Sequence, residues 1–271
     1  MNENTHKINQ LLASRIQENL DLAIELVNAN ELQENCYYLY RFGEMLDYLR
    51  QFEHIDIIEY KFLAPQVKHI QEIEQKIGKT LDEGVKTFYE QCGGLFLFWL
   101  DKRNPRYELA KNSYQQDICV DGSIAIFNLD AIYHSNHLRT YGYERKFRHK
   151  TLSAEEIEAT HHLFDYLSSY YDMMAYTGEE FSNNPILMMG SDHGGWYEDS
   201  RLMHIPAYLE LVFHSCGTVD SRPNLCRSNG GNLKPILKPD KAFFDQYPRP
   251  DFSNYPYEET HYPLDFWERL E

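Results

Sequence analysis

One uninterrupted apolar run constrains the fold of this chain more than any other feature of its sequence. Residues 95–100 read Leu-Phe-Leu-Phe-Trp-Leu, with no polar side chain among them. The run is far shorter than the roughly 20 apolar residues that a membrane-spanning helix needs. Its length is typical of a strand that is fully buried. We therefore expect residues 95–100 to form a central strand of a sheet.

Other strands follow from short β-branched or apolar runs bounded by turn residues. Strands are predicted at residues 123–127, 185–189 and 208–213, with a short turn or helix at 128–133. Residues 55–63 fit either a strand or a last helical turn. The polar residues 101–117 indicate a loop.

Helices are predicted from apolar spacing and from capping residues. Residues 67–77 have helical spacing, and Gly78 follows where a C-cap glycine belongs. Thr80 and Glu83 have the spacing of a capping box, which predicts that a second helix begins there. Ser153, with Glu156 three residues later, predicts a helix that continues to about Tyr176.

The first 50 residues predict a helical hairpin. Apolar residues recur at steps of three and four from Ile8 to Val27 and again from Tyr37 to Phe52, with residues 28–30 between the two runs. We assign residues 1–64 to an N-terminal helical extension. Residues 220–271 are rich in Pro and Tyr and should form an extension that packs on the core.

The net charge of the chain limits the classes of partner that we expect it to bind. The chain of 271 residues has 42 acidic and 26 basic residues, a formal charge of −16, and residues 1–64 alone contain 11 acids and 5 bases. Such a surface repels nucleic-acid phosphates and anionic membranes, so neither is an expected partner. A basic protein partner fits better, because opposite potentials accelerate encounter. The alternative is that the acidity serves solubility alone.

The termini and the cysteines indicate a reduced compartment. The N-terminus has no apolar segment after a basic one, so no signal peptide is predicted and the expected location is the cytoplasm. The five cysteines are widely spaced and include no Cys-x-x-Cys pair, which argues against a disulfide framework or a zinc site. Each is expected to be a small buried hydrophobe.

A search for catalytic chemistry finds no motif with the required geometry. Ser191, Asp192 and His193 are adjacent, whereas the members of a catalytic triad converge from separate elements. No Gly-rich phosphate loop or nucleophile elbow is present. Two histidine pairs could each share a metal on one helix face: His134 with His137, and His161 with His162 near Asp165. We expect no catalytic residue, no cofactor and no metal, and keep a metal-dependent enzyme as an alternative.

The glycine pattern of residues 70–94 resembles the SMI1/KNR4 family, also called the SUKH superfamily. In that pattern an acidic residue precedes a Gly, a second helix ends near Phe-Tyr, and a Gly-Gly pair closes it. The matching positions here are Glu74, Gly78, Leu81, Phe88, Tyr89, Gly93 and Gly94. Asp82 and Cys92 depart from the family's usual Pro and Asn. Residues 122–132 and the segment Gly190-Ser-Asp192-His-Gly-Gly195 resemble later family motifs, so the likeness spans about residues 65–219.

The resemblance implies an α+β fold, with a mostly antiparallel sheet flanked by helices. Many bacterial members are immunity proteins that bind and block a toxin, often a nuclease, and fungal members resemble signalling scaffolds. The resemblance therefore favours a non-enzymatic immunity protein that occludes a basic toxin domain, and a regulatory scaffold is the alternative. The glycines of the motifs, together with Glu74 and Asp192, are expected to serve the fold.

The candidate contact segment for such a partner is residues 196–199, Trp196-Tyr197-Glu198-Asp199. Aromatic side chains ringed by charge are typical of interface hot spots. The alternative is an ordinary junction between a loop and a strand, with Trp196 in the core.

Overall fold

The structure is a computed structural model, and it describes thirteen stretches of the chain. They are residues 15–16, 18–30, 32–65, 67–113, 121–134, 145–147, 150–153, 161–166, 173–178, 186–191, 203–218, 240–246 and 248–254. The helices are α1 (Leu20–Ala29), α2 (Tyr37–Arg50), α3 (Val67–Ile77), α4 (Glu83–Gln91), α5 (Tyr107–Ser113), α6 (Leu129–His134), α7 (Ile205–His214) and α8 (Lys241–Gln246). The strands are β1 (Ile55–Leu63), β2 (Gly94–Asp101), β3 (Gly122–Ile126), β4 (Arg145–Phe147), β5 (Lys150–Leu152), β6 (His161–Tyr166), β7 (Met173–Gly178), β8 (Ile186–Ser191) and β9 (Met203–His204).

The strands form an antiparallel sheet in the order β1-β2-β3-β6-β7-β8-β9, and β4 and β5 pair separately. Helices accompany this sheet, which confirms the predicted α+β class with a mostly antiparallel sheet. Strand β2 pairs with β1 on one side and with β3 on the other. The prediction of a central strand at residues 95–100 is therefore confirmed, as are the strands at residues 123–127 and 185–189.

The two faces of β2 enter different apolar clusters. Leu95, Leu97 and Trp99 belong to the main core, whereas Phe98 and Leu100 pack with Ala110 of α5. Both faces are covered, so the strand is apolar along its whole length rather than alternating. Helix α5 was not predicted from the sequence, because residues 101–117 are too polar to show an apolar stripe.

A β-bulge in β1 keeps this edge strand in phase with the core. The register with β2 shifts between Ile57 and Glu59. A bulge inserts one extra residue into a strand and so changes the face on which the following side chains lie. As a result Ile57 packs against the main core before the bulge, and Tyr60 and Phe62 do so after it.

The helical hairpin α1–α2 shares this core with the sheet. Phe42, Met45, Leu46 and Leu49 of α2 have no exposed surface, and Ala23 and Val27 of α1 are equally buried. Gly43 marks the close approach of the two helices, since a Cβ built there would lie 2.5 Å from Cγ2 of Ile24.

Residues 208–213, predicted as a strand, lie instead in helix α7. Every residue of α7 except Pro206, Glu210 and His214 is buried. A helix buried on nearly all sides loses the apolar stripe that identifies helices in sequence. Pro206 lies in the first turn of α7, where its missing N–H has no helical partner to lose.

The helix predicted from Ser153 to about Tyr176 is also wrong. The structure places strand β6 at His161–Tyr166 and strand β7 at Met173–Gly178, and these pair with each other. A register irregularity between Leu163 and Asp165 interrupts the alternation by which a strand is recognised. The pairing of these strands with each other, and with β3 and β8 on either side, is not visible in the local sequence.

The predicted helix after Gly78 exists, but Thr80 does not cap it. Helix α4 begins at Glu83, and the side chain of Asp82 accepts a 2.7 Å hydrogen bond from the Gly84 N–H. Asp is as good an N-cap as Thr. Two cap residues close together leave the exact helix start undecided in the sequence.

Candidate functional site

The predicted contact segment lies outside the described residues. This applies to Trp196, Tyr197, Glu198 and Asp199, and also to Asp192 and Gly195 of the Gly-Gly motif. Gly190 lies in β8, opposite Met174 of β7.

Glu74 joins helix α3 to the start of α4. One of its carboxylate oxygens accepts a 2.8 Å hydrogen bond from the Leu81 N–H and lies 2.7 Å from the ammonium group of Lys86. The hydrogen bond from Lys86, followed by that from Leu81, lowers the pKa of Glu74 despite some burial. Glu74 thus holds the connection between two helices.

Two of the glycines occupy backbone conformations that side chains rarely adopt. Gly78 ends α3 with φ +67°, and Gly94 opens β2 with φ +141°. A Cβ at Gly94 would also lie 2.9 Å from the Ile126 carbonyl oxygen. The neighbouring Gly93 donates its N–H to the Leu63 carbonyl oxygen. These conformations and contacts let the backbone turn at the end of α3 and enter β2, so the glycines serve the fold.

One of the two histidine pairs does not have the helical geometry on which the metal alternative depended, and the other lies partly outside the described residues. His161 and His162 lie on strand β6, so the helical spacing that would bring them together with Asp165 does not apply. His134 ends α6, and His137 lies outside the described residues. Within the described ranges, no group of three His, Cys, Asp or Glu side chains could hold a metal ion.

Asp165 has a different environment from the one that its sequence position suggested. Its carboxylate is buried and accepts hydrogen bonds of 2.8 Å from the Ala125 N–H and 2.5 Å from the Tyr208 hydroxyl. These bonds connect β6 with β3 and with α7. The carboxylate therefore ties the sheet to the helix.

Three cysteines are free and buried, as predicted: Cys36, Cys92 and Cys216. Burial raises the pKa of the Cys36 and Cys216 thiols to about 11 and that of Cys92 further. A thiol that stays protonated at neutral pH is a poor nucleophile. Cys119 and Cys226 lie outside the described residues.

The helical hairpin carries an excess of acidic side chains. Its described part, from Arg15 to His54, contains seven carboxylates and three arginines. Glu18, Asp21 and Glu25 follow one another at steps of three and four along α1 and the turn before it. Glu44 and Asp47 lie on α2. We call these five residues, with Glu34 and Glu53 of the flanking turns, the acidic surface.

Each arginine of the hairpin is already paired with carboxylates. Arg15 lies 3.1 Å from Glu18, Arg41 lies 2.6 Å from Glu44, and Arg50 lies 2.8 Å from Asp21. These ion pairs neutralise the three arginine charges within the hairpin.

Three exposed carboxylates of the acidic surface have no ion-pair partner in the part of the chain that the structure describes. They belong to Glu25 in α1, Glu34 before α2 and Glu53 after it. Their negative charge remains available to an incoming cation. An ion pair formed there with a partner would not have to break an internal one.

Helix α7 extends the acidic surface by one carboxylate. Glu210 accepts a hydrogen bond from the exposed Tyr37 hydroxyl and lies 3.2 Å from the guanidinium of Arg41. Burial and the hydrogen bond to Glu210 raise the pKa of Tyr37 above its ordinary value. Sequence reasoning did not find this contact, because 173 residues separate its members.

Comparison with other proteins identifies no relative of this chain. No family model matches it, and no similar protein is found among curated proteins or solved structures. Within the described residues, no helix has both the length and the apolar character needed to cross a bilayer.

Proposed function

We propose that this protein is a non-enzymatic binding protein that neutralises a basic protein domain by covering it. The observation that carries the proposal is the acidic surface, where the arginines are paired internally and where Glu25, Glu34 and Glu53 form no ion pair with another described residue. The resemblance to SMI1/KNR4 immunity proteins supports a toxin as the target. A nuclease toxin is the most suitable class, because its phosphate-binding site is rich in Lys and Arg.

The mechanism is electrostatic capture followed by steric exclusion. Carboxylates on the hairpin imitate the charge of the toxin's polyanionic substrate and accelerate encounter. Once bound, the rigid hairpin blocks the approach of that substrate, because Phe42, Met45, Leu46 and Leu49 fix α2 to the core. Exposed aromatic groups such as Tyr37 supply contact area beside the charges.

The test begins with the tagged protein as bait in the native host, with elution by increasing salt. A captured basic protein is then expressed with and without this chain, and cell survival is measured. We expect the basic protein to be toxic alone and harmless in the presence of the chain. Failure of the chain to protect cells from every captured protein would contradict the proposal.

Two double variants separate the acidic surface from net charge. Glu25→Lys/Glu34→Lys changes the acidic surface, whereas Glu72→Lys/Glu90→Lys makes the same change of charge on exposed positions of α3 and α4. We expect the first to slow association with the captured toxin about tenfold or more at low salt, and the second to have a smaller effect. Equal effects would show that the acidic surface is not the contact.

A further inference from the structure

A short segment near the C-terminus, residues 248–254, is bound to the core in the manner of a peptide ligand. Its sequence is Pro-Arg-Pro-Asp-Phe-Ser-Asn, and we call it the anchor segment. Phe252 has no exposed surface, although both of its neighbours are exposed. Its ring packs against Trp99, Phe52 and Tyr48, at centroid distances of 5.1, 5.5 and 6.0 Å.

Most polar contacts of the anchor segment with the core use its backbone carbonyls. The Tyr48 hydroxyl donates to the Pro250 carbonyl at 2.8 Å, and Nε2 of His54 lies 3.0 Å from the Phe252 carbonyl. The guanidinium of Arg103 donates to the carbonyls of Phe252 at 2.6 Å and Ser253 at 3.1 Å. Backbone carbonyls are common to all peptides, so the selectivity of this docking comes from two side chains of the anchor segment. They are the Phe252 ring and the Arg249 guanidinium, which lies 3.8 Å from the centroid of the Tyr48 ring.

The Arg103 side chain has a second partner besides the anchor segment, which is the Asp101 carboxylate. The Asp101 carboxylate, itself fully buried, binds the Arg103 guanidinium through contacts of 2.8 to 3.2 Å. It also accepts the Arg103 N–H at 2.7 Å. A donor that is oriented in advance loses little entropy when a ligand binds.

The anchor segment is locally organised as well. Pro250 favours an extended conformation of Arg249, the residue before it. The Asp251 carboxylate then accepts the Ser253 N–H at 3.0 Å and the Asn254 side-chain amide at 3.2 Å, which forms a turn. Short peptides with such local order bind at a low conformational cost.

We propose that Tyr48, Phe52, His54, Trp99 and Arg103 form a peptide-docking socket, which the anchor segment fills in cis. A segment of another protein that presents a phenylalanine in the same kind of turn can enter the socket in its place. The socket contains no residue of the acidic surface, so this inference does not rest on the proposed function. The anchor segment acts as an internal competitor, and its tethering makes the apparent affinity of any external segment lower.

The test uses a fluorescently labelled peptide with the sequence of residues 248–254 and the full-length chain. Fluorescence anisotropy measures its binding to the wild type, to Phe252→Ala and to Phe252→Leu. We expect the peptide to bind Phe252→Ala at least about tenfold more tightly than the wild type, because the cis competitor is weakened. Phe252→Leu should be intermediate, and it serves as the folded variant if Phe252→Ala does not fold.

Two controls test selectivity. The same peptide with alanine in place of phenylalanine should not bind any variant. Phe243→Ala removes another buried phenylalanine from the C-terminal part of the chain and should leave peptide binding at the wild-type level.

Three results would overturn the proposal. One is the absence of peptide binding to every folded Phe252 variant, and another is equal binding of the peptides with and without phenylalanine. The third is a wild-type dimer that exchanges its anchor segments, since this would assign the socket to a second copy of the chain. Analytical ultracentrifugation detects that dimer.

Discussion

At the scale of single residues, the buried pair of Asp165 and Tyr208 contributes most directly to the junction of sheet and helix. A buried carboxylate that loses a hydrogen-bond donor retains the cost of its desolvation. We expect Tyr208→Phe to lower the free energy of unfolding by about 1–3 kcal/mol. Urea denaturation of the two proteins measures this difference.

Tyr40→Phe is the matched control for Tyr208→Phe. Its hydroxyl donates to Glu44 at 2.7 Å in a more exposed position. A carboxylate in contact with water can replace a lost donor, so the control should change the free energy of unfolding by less than about 1 kcal/mol. An equal decrease in the free energy of unfolding of the two variants would contradict the prediction that burial of Asp165 makes the loss of its donor more costly.

Glu74 should make stability depend on pH in the acidic range. Its pKa in the folded protein lies below the ordinary value of 4.5, mainly because of Lys86. The unfolded chain therefore binds the proton more readily. The stabilisation by Glu74 is fully present above about pH 4.5 and is lost as the pH falls through the lower pKa of the folded state.

Glu74→Gln tests this prediction, because glutamine does not titrate. The wild type should lose stability between pH 5 and pH 3 more steeply than the variant, as followed by the thermal midpoint. Glu72→Gln, at an exposed position of the same helix, should retain the wild-type slope. A parallel pH dependence of wild type and Glu74→Gln would contradict the assignment.

At the scale of elements, Gly43 determines how closely α1 approaches α2. Alanine is favoured over glycine in a helix by about 1 kcal/mol. Here the new methyl group would lie 2.5 Å from Cγ2 of Ile24. We therefore expect Gly43→Ala to lower the free energy of unfolding despite its better helix propensity.

A double-mutant cycle with Ile24→Ala isolates this contact. Ile24→Ala removes the clashing methyl group, so Gly43→Ala should be neutral or stabilising in that background. Denaturant unfolding of the four proteins gives the coupling energy. Additive effects would show that the two helices do not meet at these residues.

The elements also differ in how far the sequence predicts them. The hairpin helices and strands β2, β3 and β8 follow from their own patterns of apolar residues. Helix α7 does not, because burial on nearly all sides removes its amphipathic stripe. Strands β6 and β7 do not either, because their place in the sheet depends on pairing with each other and with β3 and β8 on either side.

At the scale of the whole molecule, one core unites the hairpin, the sheet and helix α7. Buried residues of α1, α2, β2 and α7 belong to the same apolar cluster. A single core of this kind predicts one cooperative unfolding transition. Tryptophan fluorescence and far-ultraviolet circular dichroism should therefore give the same urea midpoint.

Separate midpoints for the two probes would contradict this prediction. Trp99 lies in the core of the sheet, whereas circular dichroism reports mainly on the helices. An earlier loss of helical signal would show that the hairpin unfolds independently of the sheet. Residues 1–64 would then form a unit with its own unfolding transition.

The two candidate binding sites, like the elements, differ in how far the sequence predicts them. The excess of acids in residues 1–64 is visible in the sequence, and it predicted a basic partner. Which carboxylates are paired depends on distances, such as that of Arg50 to Asp21, that only the folded chain defines. The socket residues lie about 150 to 200 positions before Phe252 in the sequence. No local sequence pattern therefore predicts the contact.

By itself, the sequence determined the negative net charge, the burial of Cys36, Cys92 and Cys216, and the central strand β2. Each depends on composition or on a pattern shorter than one element, which local physical chemistry can decide. Only the tertiary structure decided that residues 208–213 form a helix, that Asp165 binds Tyr208, and that Phe252 occupies an aromatic socket. These outcomes depend on contacts between distant segments, and their free energy exists only once the core has formed.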